Sequence, residues 1–463
     1  MSERMPRPAV AGSRRSRHGL ALGVLIANQL LAGIGVATGM ALAAILVADL
    51  TGVVAMGGLA QSASVLGAAV VAIPLARLAV RSGRHVALAT GYGLAAVGAM
   101  LVVAAASSGW APLVFVGLAA FGAAAAAGLQ ARFAATEVAS PGFEARSMSL
   151  VLWATTIGSV AGPLLSETGD RVGAAFGLPH LVGSFVFSAV AFATSTVLVA
   201  TLLRMPRAGV LETDAIADAA ARPVDAEGPV DADEPVVGEA VVGEAATGPA
   251  FAASDANAAR PAEKPVGSFA ALREASRSPR SLFAILAIVC SHTVMVGVMV
   301  MTPIHMTQHG MSLNLVGLVL SIHILGMYGA SPLMGWLVDR VGPVRVVLLG
   351  AAILVVAAVI GILAPSGDVL FVPLALGLLG LGWSAGMIGG STLLTTSVDS
   401  RLRVPLQGAT DAAMNVAAAA SAALSGLVLG AFGFAGVNMV ALLVLVPLAV
   451  VGLRMAMVRT ASA

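Results

Sequence analysis

The chain has 463 residues, 58% of them hydrophobic and only 10% charged, with a mean hydropathy of +0.96. That is far more apolar surface than one water-soluble core buries, so an ordinary soluble domain is excluded and the class is a polytopic α-helical membrane protein. The formal net charge of +2 argues for no nucleic-acid partner, because Lys264 is the only lysine and the arginines matter by position. Cys290, the single cysteine, rules out an intramolecular disulfide and any CxxC metal site.

Residues 1–18 read as a basic cytoplasmic tail containing Arg14, Arg15 and Arg17. The apolar run that follows, Leu20 to Val47, is too long for the core of a signal peptide and reads as the first membrane helix. Runs at 20–48, 54–79, 86–106, 111–135, 146–166 and 179–203 give six spans within an N-terminal half at 19–203. Each run is near the ~20 residues that cross a bilayer. From Arg204 to Arg280 the composition turns to Ala, Pro, Gly, Asp and Glu, including VVGEAVVGEA. Such a segment lacks the apolar content to fold and is expected to be a disordered cytoplasmic linker, with a surface helix near Phe269 to Ser276. Six more runs, at 281–305, 313–338, 344–364, 369–394, 407–430 and 437–457, form a C-terminal half at 281–457, followed by a tail at 458–463. The expected fold is all-α, with twelve transmembrane helices in two six-helix halves.

Arginine placement orients these spans. Arg77, Arg81 and Arg84, then Arg132 and Arg146, Arg340 and Arg345, Arg401 and Arg403, and finally Arg454 and Arg459 all fall on one side. The opposite loops carry Asp49, Glu167, Asp170, His309 and Asp368, with Arg171 the only basic residue. The positive-inside rule therefore places both termini in the cytoplasm.

The halves echo each other. ARLAVRSGRH (Ala76 to His85) recurs as GWLVDRVGPV (Gly335 to Val344), and TEVASPGFEAR (Thr136 to Arg146) corresponds loosely to TSVDSRLR (Thr396 to Arg403). A six-plus-six repeat is the pattern of a rocker-switch transporter with its substrate site near midplane between the halves. GWLVDRVG resembles the GxLxDRxG loop motif of the major facilitator superfamily. That resemblance implies a secondary active transporter of the bacterial cytoplasmic membrane, working by alternating access. It also implies a conformational gate at Gly335, Asp339, Arg340 and Gly342, echoed by Arg81 and Gly83, with Val80 standing where the first-half Asp would be. GSVAGP (Gly158 to Pro163) looks like the core of the antiporter motif of drug exporters. The glycines that usually follow are replaced by Leu164 and Leu165, and the fourth helix lacks the arginine of the proton-linked motif, so close helix packing is the preferred reading.

Two pairs at i, i+4 spacing, Met295 with Met299 and His323 with Met327, each present two ligand atoms on one helix face. At ~1.5 Å rise per residue both pairs lie near mid-membrane. Thioether sulfur with imidazole favours Cu(I), and adjacent antiparallel helices would let three or four of these ligands converge. The same methionines also read as flexible packing, and His323 as a proton carrier or a hydrogen bond to an organic substrate. His305, Met306, His309 and Met311 form a candidate collecting site at the outer mouth, or simply polar loop positions. VMVGVMVMTPIHM and SIHILGMYGASP are similar to the seventh and eighth helices of bacterial copper importers of the CcoA type, which carry MxxxM and HxxxM pairs. Related riboflavin transporters and magnetosome-associated carriers have similar surroundings.

Asn28, Gln29, Gln61, Gln130, Asp411 and Asn415 are further polar groups within spans, Asp411 reading foremost as an ion-pair partner of Arg401 or Arg403. No phosphate-binding GxxxxGK[ST] loop and no nucleophile–base constellation is present, so neither ATP drive within this chain nor enzymatic activity is expected. The expected partners are the bilayer and a small solute or metal ion, with no cofactor, coupling to protons or membrane potential, and a monomeric state. Copper uptake, proton-coupled movement of a small organic compound in either direction, and a carrier-shaped receptor or assembly factor that moves nothing are the three functions left open.

Overall fold

The computed structural model of the chain describes residues 9–138, 144–203, 268–365 and 368–461. The linker between 204 and 267 and the extreme ends of both tails lie outside these residues. Within the bilayer each span must satisfy its own backbone N–H and C=O groups, and the apolar runs do so as helices. In the first half these are α1 (Ala9–Thr51), α2 (Val54–Ser82), α3 (Arg84–Ser108), α4 (Ala111–Phe121), α5 (Ala123–Glu137), α6 (Glu144–Leu164), α7 (Ser166–Ala175) and α8 (Gly183–Leu202). After the linker come α9 (Ser268–Ala275), α10 (Pro279–Gln308), α11 (Leu313–Ile324), a π-turn at Leu325–Gly329, α12 (Ser331–Val341), α13 (Pro343–Leu363), α14 (Phe371–Thr396) and α15 (Ser400–Ala461).

Two spans are split and one helix contains two spans. α4 and α5 form one crossing that pauses at Gly122, and α11 and α12 form one crossing around the π-turn. α15 leaves helical geometry at Gly433, with φ 66° and ψ −170°, which divides it into the eleventh and twelfth spans. The surface helix expected near Phe269 is α9. α1 begins at Ala9, inside the stretch read as a tail, because its basic residues follow helix-compatible alanines and run straight into the span. The loop before the sixth span contains an amphipathic helix, α7, where the sequence suggested only polar residues.

The internal repeat is structural. Gly58, Ser62, Gly67, Arg81 and Gly83 recur at one constant shift as Gly317, Ser321, Gly326, Arg340 and Gly342. Gly83 and Gly342 have matching backbones, φ 96° and ψ 157° against φ 87° and ψ 152°, in the left-handed region where a side chain is strained. A Cβ on Gly122 would overlap the Ser64 carbonyl oxygen, and a Cβ on Gly380 would overlap that of His323, so each half crosses its second and fourth spans at a glycine. The halves are joined by a second symmetric pair: Ser62 Oγ donates to the Ala419 carbonyl at 2.8 Å, and Ser321 Oγ donates to the Val160 carbonyl at 2.7 Å.

Away from the termini the halves are sealed. Ala41–Ala48 on α1 and Val300–Met306 on α10 are buried throughout, and Gly57 of α2 abuts the Ile304 side chain. Toward the termini they part: α5 packs on α1 to α4 and α6, and α12 on the π-turn, α13 and α14, each within its own half. The glycines of GSVAGP, Gly158 and Gly162, lie directly against the α1 backbone at Leu30 and Ile34, and Thr38 Oγ1 donates to the Gly162 carbonyl at 2.9 Å.

Candidate functional site

α14 runs between α10 and the α11/π-turn segment and is the strip on which the polar groups of the second half are arranged. Gly386 and Gly390 bring it close to Ser291 and Ile288 of α10, and Gly377 and Gly380 bring it close to Gly326 and His323. At the π-turn Ala330 N–H reaches back to the Leu325 carbonyl at 3.3 Å, five residues away, widening the helix by one residue. Such single π-turns are frequent at functional sites.

Two histidines flank this strip in opposite tautomers. Trp383 Nε1 donates to His292 Nδ1 at 3.0 Å. An indole N–H can only donate, so Nδ1 carries the lone pair and the neutral ring carries its proton on Nε2. His292 thus offers an N–H that no described residue accepts. Tyr328, on the π-turn, meets Trp383 edge to face with ring centroids 5.7 Å apart, so His292, Trp383 and Tyr328 form a chain across three helices at mid-span. His323 is the converse. Its Nδ1 lies 2.9 Å from the Leu376 carbonyl, an acceptor, so the proton sits on Nδ1, and the Nε2 lone pair is buried without a partner among the described residues.

The Met/His residues are placed as follows. Met295 and Met327 are buried and Met299 half-buried, while His323 is completely enclosed. α10 packs chiefly on α15 and α14, and α11 on α6 and α14; α10 and α11 themselves touch over a short stretch. His323 is thus set against α14 through the Leu376 carbonyl, and the short contact of α10 with α11 leaves little shared seam between the two pairs. In the first half the positions equivalent to His323 and Met327 are Ser64 and Ala68, so the packing of this crossing needs neither an imidazole nor a thioether. At the far end His305 stacks on Phe434, with ring centroids 4.4 Å apart and planes within 7° of parallel. His309 sits against it, with Nδ1 2.7 Å from the His305 carbonyl, while Met306 is buried and Met311 half-buried.

Of the polar residues in the first half, Gln29 is a hub. It accepts from Tyr92 at 2.7 Å and from Asn28 at 3.4 Å and donates to Thr155 at 3.0 Å, tying α1 to α3 and α6. Gln130 accepts from Arg84 at 2.6 Å, and Gln61 is half-buried on α2. Asp411 and Asn415 are exposed, with Asn415 Nδ2 donating to the Asp411 backbone carbonyl at 2.8 Å. The ion pairs among the described residues, Glu167 with Arg171 and Asp170 with His180, do not include Asp411 with Arg403, and the Arg401 side chain lies outside the described ones. In GWLVDRVG, Asp339 and Arg340 are exposed at the termini-side end, the Arg340 guanidinium 5.0 Å over the Trp336 ring.

Sequence reasoning passed over His292, Trp383, Tyr328 and Trp153. An ionisable residue in mid-span was the available signal for His292; nothing in the local sequence joins it to Trp383, ninety-one positions away.

Twelve spans in two repeated halves, sealed at one end and parted at the other around mid-depth polar groups, define a membrane carrier. The chain belongs to the Major Facilitator Superfamily, whose sequence model matches residues 25–313 and 284–462. It is 30% identical to the uncharacterized MFS-type transporter YdeG of Bacillus subtilis, over 92% of this chain and 90% of that one. It is 28% identical to the riboflavin transporter RfnT of Brucella anthropi, over 68% of this chain and 67% of that one. In fold it is similar to a bacterial homologue of the human lysosomal transporter Spinster in an inward-facing, unoccupied conformation, with TM-score 0.62 and 16% identity over 94% of this chain and 95% of that one. It is similar also to the nucleoside transporter NupG, with TM-score 0.63 and 14% identity over 95% and 99% of the two chains.

Proposed function

We propose that this protein carries a small organic solute across the cytoplasmic membrane by alternating access, through the cleft between its halves. The observation that carries this reading is the His292–Trp383–Tyr328 chain at mid-depth, which combines an unclaimed N–H donor with two aromatic rings. Sites for small molecules are mostly apolar walls with a few placed polar groups, and this cluster has that composition. The riboflavin transporter among its relatives supports an organic solute. The gate lies at Asp339, Arg340 and Gly342, with the termini in the cytoplasm. The test is uptake into proteoliposomes of labelled riboflavin, nucleosides, amino acids and sugars. At least one should accumulate above protein-free vesicles, and His292→Phe should reduce its uptake roughly tenfold, the effect of losing about one charge-free but buried hydrogen bond with its donor unpaired. No accumulation of any solute by inserted, monodisperse protein counts against the reading.

A second reading, copper uptake, is favoured by His323. A metal-bound histidine characteristically gives its other ring N–H to a carbonyl and ligates through the free nitrogen, and His323 holds that arrangement toward Leu376, one π-turn from Met327. A soft thioether beside imidazole suits Cu(I). Copper retained by purified wild-type protein and lost in His323→Ala, Met327→Ala supports it; equal, trace copper in both removes it.

A further inference from the structure

Partly exposed aromatic rings stand on both halves at one depth of the bundle. α6 and α11 run antiparallel and meet where Ser321 Oγ bonds the Val160 carbonyl. Seven residues toward the termini from that contact are Trp153 on α6 and Tyr328 on the π-turn, each two turns, about 10 Å, along its helix and therefore at matching depth. Trp153 lies on the stripe that includes Val160, while Thr155, Gly158 and Gly162 form the separate stripe against α1. Trp153 therefore lies on the face of α6 that meets the opposite half at Val160. Trp153 is 46% and Tyr328 42% exposed, at the level where the halves diverge. Only 4% of the chain is aromatic, and an anchoring ring at the membrane interface belongs at a helix end, whereas Trp153 is mid-helix.

We propose that Trp153 of the first half and the Tyr328–Trp383 pair of the second are the two walls of a stacking site for a planar heteroaromatic ring, with His292 Nε2–H donating to a ring carbonyl or ring nitrogen. The four side chains bring no formal charge, so the ring they suit is neutral. The walls belong to different halves, so closing the halves on the ring is what completes the site, and only a flat molecule lets both walls approach. This proposal rests on the organic-carrier reading and deepens it.

The test is equilibrium binding of lumichrome, a neutral planar tricycle, to full-length protein in nanodiscs, with sorbitol as a non-aromatic competitor. The expected result is saturable binding that sorbitol does not displace. Trp153→Ala should weaken it tenfold or more, consistent with the loss of one aromatic stacking partner, and Trp153→Phe should restore it to within about threefold because a ring remains. Recovery in the Phe protein separates loss of stacking from loss of fold. Lumichrome binding that is unchanged in Trp153→Ala and in Tyr328→Ala overturns the site. Absence of lumichrome binding together with proteoliposome uptake of a sugar or aliphatic amino acid also overturns it, while leaving the carrier reading in place.

Discussion

The tautomers of His292 and His323 decide what each residue can do. Trp383 holds His292 as a donor; removing the indole N–H frees the imidazole to present either nitrogen. Trp383→Phe keeps the ring that Tyr328 packs on but loses a bond of about 1 kcal/mol, so transport of an organic solute should fall about fivefold. A change under twofold would mean that the bond does not orient His292. For His323 the copper reading makes a pH claim on chemistry alone. A ligating imidazole must be deprotonated at Nε2, so Cu(I) binding should weaken as the pH falls and lose that dependence in a His323→Met protein that still binds, because thioethers do not titrate. Cu(I) binding that is equally pH-dependent in the His323→Met protein would place the titrating ligand elsewhere. Asp368 acts outside the membrane, where its Oδ1 accepts from the Leu370 and Phe371 N–H groups at 2.7 and 2.8 Å and caps α14. These bonds hold its carboxyl below the usual carboxylate range. A lowered pKa in the folded state means that the cap's contribution is complete above the ordinary carboxylate pKa and is lost as pH falls through the depressed one. Hydrogen exchange at Leu370 and Phe371 should therefore be faster, relative to the intrinsic rate, in strong acid than at neutral pH. Asp368→Ala should show that loss of protection at every pH, and equal protection in the two proteins would remove the cap.

Helices show which glycines hold the crossings and which are only motif letters. Gly380 meets the backbone of His323 and Met327, so Gly380→Ala must push α14 off the π-turn at a cost in the ~1–3 kcal/mol range of overpacking. Gly335 belongs to the GWLVDRVG motif, yet a Cβ there meets nothing within 4 Å. Gly335→Ala should leave thermal stability unchanged or raise it, since a helix-interior glycine costs about 0.5–1 kcal/mol relative to alanine. If Gly335→Ala melts lower than Gly380→Ala, the assignment of which crossing is tight is wrong. The difference also shows what was legible. GWLVDRVG could be recognised because its turn glycine and charges are fixed within eight residues. The π-turn, the tight contact of Gly380 with His323, and the contact of Ser321 with Val160 that sets Trp153 and Tyr328 at matching depth depend on partners far off in sequence. The i, i+4 rule put His323 and Met327 on one face, but it could not foresee the π-turn that begins between them or the bond of His323 to the α14 backbone at Leu376.

At the scale of the whole molecule, the spans were readable because a bilayer demands long apolar helices, and the twofold repeat because its turns use the same letters. Which end stands open was not readable, because it depends on small differences between two packings of the same halves. The structure is closed around Ala41–Ala48 and Val300–Met306, and Asp411 and Asn415 are exposed inside a span. A carboxylate and an amide facing hydrocarbon are costly, so their exposed side is a water-filled cleft reached from the termini side. Cys290 is buried, so replacing it with Ala leaves a background in which single cysteines report access. In that background, Asn415→Cys should react with a membrane-impermeant maleimide added to inside-out vesicles and Met301→Cys should not, because Met301 is sealed at the closed end. Asp339→Asn removes the carboxylate of the proposed gate, so it should shift the balance between inward-open and outward-open forms. It should change the Asn415→Cys labelling rate at least twofold while leaving solute affinity within a few-fold, since Asp339 is exposed at the far end of α12 from the aromatic cluster. An unchanged rate would mean that Asp339 does not set the open end, and a large loss of affinity would make it a substrate contact instead of a gate.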